Sequence, residues 1–145
     1  MNKLSYKIEV KQNDPYPLLE LVLNDEVEQQ TIEPYPLELS VQQDGSFPIL
    51  NCTCGEWGCG GYWVDVKHDG DKIIWENIRT HMGKSVDRLH AKTPIIFSKP
   101  EYTETVKKVL QELENHDHLK KGYNDEKDYY QKNDKFYWDG FSAND

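Results

Sequence analysis

An α+β domain is predicted, with a mainly antiparallel sheet and one amphipathic helix packed on it, on three observations. Leu4, Tyr6, Ile8 and Val10 alternate with polar residues, the period of a strand with one buried face. Tyr62, Val64 and Val66 alternate before a His68-Asp69-Gly70-Asp71 tip and the Ile73-Ile74-Trp75 run, the pattern of a hairpin. Tyr102, Val106, Val109, Leu110 and Leu113 fall on one stripe at helical spacing.

The elements follow in chain order. The first strand ends at Asn13-Asp14-Pro15, and a second apolar stretch, Leu18 to Leu23, is placed to pair with it through the Pro15 to Pro17 region. Pro34-Tyr35-Pro36 repeats the earlier Pro15-Tyr16-Pro17. Because proline disfavours helical geometry in the residue before it, both read as extended connectors into strands. Asp44-Gly45-Ser46 is a turn and Phe47 to Leu50 a short strand. Residues 79–92 read as a basic loop, and Ile95-Ile96-Phe97 as a further strand, giving five or six in all. Ser98-Lys99-Pro100-Glu101 has the composition of a capping box with proline in the first turn, so the helix starts there and runs to about Glu114. Residues 1–120 are expected to form one α+β domain, and residues 121–145 a polar, aromatic tail that partly docks.

Charge narrows the partners. The formal net charge is -9, and residues 1–50 hold nine acids against Lys3, Lys7 and Lys11. With Arg79 and Arg88 as the only arginines, the chain is poorly equipped to neutralise a phosphate backbone, so no nucleic-acid partner is expected. An acidic face suits a basic protein partner instead. No apolar run approaches the ~20 residues that span a bilayer and no export leader is evident, so a cytoplasmic location without membrane contact is expected.

One segment carries unusual chemistry. Cys52-Thr53-Cys54-Gly55-Glu56-Trp57-Gly58-Cys59-Gly60-Gly61 contains all three cysteines of the chain. Its glycines permit a tight loop that sets Cys54 against Cys59, and in an extended strand residues 52 and 54 share a side. Three thiolates so arranged suit zinc, with His68 at the hairpin tip as the fourth ligand, or else His81, His90 or water. The same thiols also fit redox exchange, although no nearby cation is evident to lower a thiol pKa and Glu56 acts the other way. They equally fit small buried side chains bordering a turn. A phosphate loop is excluded, because a strand rather than a helix follows the glycines.

The C-x-C-G-x-x-G-C-G-G string, followed by an aromatic residue, V-x-V and Trp75, resembles a group of small uncharacterised bacterial proteins sharing this core. That resemblance spans about half the chain and implies no activity or site residue. The start of the string, Cys52-Thr53-Cys54-Gly55, is also similar to a zinc motif appended to many bacterial proteins, whose later cysteine or histidine pair has no counterpart here. The expected function is therefore a non-enzymatic, immunity-like protein-binding domain acting through the acidic N-terminal segment or the aromatic tail. The alternative is a zinc protein built on Cys52, Cys54, Cys59 and His68.

Overall fold

Alternating apolar residues at the start of the chain form β1 (Leu4–Glu9), which pairs antiparallel with β2 (Leu18–Leu23), so that Leu4, Tyr6 and Ile8 lie opposite Leu23, Leu21 and Leu19. The computed structural model describes residues 1–10, 16–52, 61–80, 83, 85, 89 and 91–136. Asn24 and Asp25 take left-handed conformations, φ 53° and 67°, and turn the chain in two residues into β3 (Glu26–Ile32). Asparagine and aspartate tolerate this region better than other side chains, which makes the pair a hairpin signal. After α1 (Pro34–Gln42) come β4 (Gly45–Cys52), β5 (Tyr62–Asp69), β6 (Lys72–Thr80) and β7 (Ile95–Ser98). All seven described strands pair with their chain neighbours in one antiparallel sheet.

The sheet curls until its edges touch. Asn2 bridges Phe97 in parallel sense, its backbone N–H donating to the Ile96 carbonyl at 2.9 Å. Parallel closure is what an odd number of antiparallel strands requires, and it covers one end of two edges that would otherwise offer unpaired backbone groups. Inside the curl Leu21, Leu23, Ile49, Leu50, Val64, Ile73, Trp75 and Ile95 are buried. The α2 helix (Lys99–Glu112) closes the core with Tyr102, Val106 and Val109, and Leu113 follows in a short 3-10 turn; Leu110 on the same stripe is only partly buried. Ser98 occupies the N-cap without a side-chain bond, so the expected capping box does not form. The Lys99 N–H donates instead to the Asp71 carbonyl at 2.7 Å.

Two expectations are corrected. The α+β class holds, but among the described residues three α-helices rather than one accompany the sheet. Pro34-Tyr35-Pro36 opens α1 instead of extending into a strand. Both prolines sit in the first turn, where N–H groups lack intrahelical partners, and the first helical bond runs from the Leu37 N–H to the Glu33 carbonyl. Burial of Tyr35, Leu37, Leu39 and Ser40 outweighs the bias against helix before Pro36. The segment from residue 121 continues α3 (Asp117–Asn133), whose Leu119, Tyr123, Glu126 and Tyr130 form an i, i+4, i+7, i+11 stripe. Tyr123 and Tyr130 meet Tyr35 edge-on at 5.8 and 5.7 Å, and Phe136 packs on Tyr130 at 4.6 Å, so this segment docks on α1. Tyr137, Trp138 and Phe141 lie outside the described residues. No helix among the described residues is long and apolar enough to cross a membrane.

Candidate functional site

The cysteine segment is described only at its margins. Cys52 ends β4, with its backbone opposite Gln30, whereas Cys54, Cys59, His81 and His90 lie outside the described residues. His68 is described and is not brought to Cys52. Leu50 pairs with Tyr62 and Gly45 with Val66, so Cys52 lies beyond one end of this register and His68 beyond the other. At ~3.3 Å per residue the two are separated by roughly 25 Å along the strands. The His68 ring is also engaged. Its Nε2 lies 2.8 Å from the Ser40 carbonyl oxygen, which can only accept, so that nitrogen carries the proton, while the His68 backbone N–H donates to Asp44 at 2.8 Å. Among the described residues no three metal-binding side chains cluster.

A different site is built where β3 ends. Pro34 starts α1 and so fixes Glu33 at a strand-to-helix junction in extended geometry, φ -93° and ψ 109°, with its backbone N–H bonded to the Ile49 carbonyl. The pairing of β3 with β4 sets Thr31 opposite Asn51, and the Asn51 amide donates to Glu33 Oε1 at 3.3 Å. The start of α3 lies over this junction, leaving a cavity of about 340 Å³. Pro17, Leu18, Leu19, Ile32 and Leu119 supply its apolar walls; Glu33, Asn51, Thr31 and Glu126 supply polar groups. Asn51, Thr31 and Glu126 are buried, and Glu33 is partly so.

The electrostatics centre on Glu33. Desolvation of its carboxyl outweighs the bond from Asn51 and pushes its pKa from the ordinary 4.5 up to about 7. Next to it on α3, Tyr123 donates to Glu38 at 2.7 Å; burial, followed by this bond to Glu38, pushes the phenol well above the ordinary tyrosine value. At the mouth, His118 stacks on Tyr16 at 4.2 Å and Lys121 pairs with Asp125 at 2.7 Å.

None of Glu33, Asn51 or Glu126 stands out in the sequence, because each is an ordinary polar residue and the register of three strands and a helix brings them together. The one local signal is a glutamate immediately before a helix-opening proline. The chain matches no family model, no curated protein and no solved structure. Chemically, an apolar sleeve ending in carboxylates and an amide is suited to hold a cation on a hydrocarbon stem.

Proposed function

We propose that this chain is a non-enzymatic, immunity-like protein-binding domain for a basic partner. The observation that supports the reading best is the acid-ended cavity beneath α3 in a chain of net charge -9. Carboxylates, an amide and apolar walls meet the needs of a cationic side chain, and the surrounding negative charge attracts a basic surface before contact. The test is capture of the partner from the native host, its identification by mass spectrometry, and stopped-flow association. The partner should carry net positive charge at neutral pH, and its on-rate should fall at least about tenfold between ~0.05 and ~0.5 M salt, since exposed charges are screened beyond ~8 Å at physiological ionic strength. An on-rate indifferent to salt would remove the electrostatic basis of the reading.

Zinc on Cys52, Cys54 and Cys59 is a second reading, favoured by the occurrence of three cysteines within eight residues of sequence. The separation of His68 from Cys52 gives it a sharp expectation. Metal content of the purified protein should be close to one zinc per chain, unchanged in His68→Ala and lost in Cys54→Ser. Loss of zinc in His68→Ala would contradict the placement of His68, and absence of zinc from the unaltered protein would end the metal reading.

A further inference from the structure

We infer that the cavity between α3 and the β2–β3–β4 face takes an organic cation on a short aliphatic stem, an alkylammonium or alkylguanidinium, with Glu33 receiving its charge. The inference rests on the binding reading above only for which macromolecule carries the cation. At about 340 Å³ the cavity lies near the lower end of ligand pockets, ~300–1,000 Å³, and fits one side chain or small amine better than a nucleotide. Methylene groups are matched by Leu18, Leu19, Ile32 and Leu119 along the wall, and the charged end by Glu33 with its Asn51 partner. An anion would meet Glu33, Glu126 and Asp125 together. Lys121, the one lysine of the described lining, is exposed and bonded to Asp125.

Binding a cation here is linked to proton release. Desolvation pushes the Glu33 carboxyl up to about 7, and it must be ionised to pair with the ligand, so affinity should level off above about pH 8 and fall about tenfold by about pH 6. The charged and titratable groups around Glu33 are His118, Lys121, Tyr123, Asp125 and Glu126 on α3, Glu20 opposite Thr31 on β2, and Tyr35 and Glu38 on α1. Of these His118 also lines the cavity, and a positive charge on its ring would repel a cation. The variants must therefore separate Glu33 from His118.

The experiment titrates the full chain with butylamine, agmatine and N-acetyl-lysine methylamide, with N-acetyl-norleucine methylamide as the neutral control and butyrate as the anion. Calorimetry in buffers of differing ionisation enthalpy reads affinity and protons released, and lysine- and arginine-containing peptides distinguish a partner's side chain from a free amine. The cations should bind at least about tenfold more tightly than the neutral control and release close to one proton per site near pH 6. Glu33→Gln, which keeps an acceptor for Asn51, should weaken them at least about tenfold and abolish the pH slope, whereas His118→Gln should keep it. Leu119→Trp, which fills the sleeve without altering charge, should also block binding, and thermal melts establish that each variant is folded. Cations binding no better than norleucine amide, or binding folded Glu33→Gln and Leu119→Trp as they bind the native chain, would overturn the inference. If the cations show no preference over the neutral control while a basic protein partner binds as expected, the subsite fails and the partner reading stands; if free amines bind as expected but no basic protein does, the reverse holds.

Discussion

Tyr102→Ala should destabilise the protein by about 3–5 kcal/mol, a large part of the ~5–15 kcal/mol typical of a domain. Tyr102 is 1% exposed and packs against Trp75 and Phe97, with ring centroids 6.2 and 5.2 Å away. Its hydroxyl also joins a buried chain of hydrogen bonds whose direction can be worked out. The Ser40 hydroxyl donates to the Leu37 carbonyl at 2.5 Å, so the 2.6 Å contact between Ser40 and Tyr102 requires the phenol to donate; the Trp75 indole N–H then donates to the phenol oxygen at 3.1 Å. Burial holds the phenol pKa well above the ordinary tyrosine range despite the bonds to Ser40 and Trp75, so the chain keeps its protons at every working pH. Tyr102→Phe preserves the packing but strands the indole N–H without an acceptor, and should cost about 1–3 kcal/mol by urea titration. In a Trp75→Phe background that penalty should shrink by about 1 kcal/mol. A Tyr102→Phe variant as stable as the native chain would show that the hydroxyl chain contributes nothing.

Those three residues show why some of the fold is legible in the sequence and some is not. Trp75 lies on an alternating hairpin and Tyr102 on a helical stripe, so the periodicity of apolar residues alone places both on buried faces. Ser40 belongs to a segment whose two prolines point to extended chain, and only the tertiary contacts of Tyr35 and Leu37 make it helical. Glu26–Ile32 escapes recognition for a related reason. Glu28 and Gln30 are buried there with Ile32, so polar residues occupy positions that a pattern search expects to be apolar. In α3 the stripe is present, but Glu126 and two tyrosines stand where leucines would announce it. The candidate site is least visible of all. The thiols of residues 52–59 attract notice because cysteine and glycine are chemically distinctive, whereas Glu33 acquires its unusual character only from the cavity that α3 closes over it.

That character makes stability depend on pH in an unusual direction. A carboxyl whose pKa is 4.5 in the unfolded chain and about 7 in the fold binds more protons when folded between those values. Folding stability is therefore complete with respect to this group below about pH 4.5, falls as pH rises, and has lost the whole contribution above about pH 7, where both states are ionised. The gap corresponds to roughly 3 kcal/mol, an upper figure because part of the residue remains exposed. Asp65 works in the opposite sense. Burial alone would raise its pKa, but the bonds from Ser46, Asn77 and Arg79 together with the Arg79 charge lower it below 3.8, so it contributes only to acid unfolding beneath this window. Glu33→Gln should leave stability near pH 4.5 almost unchanged and raise it by about 2–3 kcal/mol near pH 8, because a neutral amide replaces a desolvated carboxylate while Asn51 keeps an acceptor. Denaturant titrations of both proteins from about pH 4.5 to about pH 8 would measure the difference. Parallel stability profiles would place the Glu33 carboxyl in water rather than in the cavity, and would remove the electrostatic basis for a cation bound there.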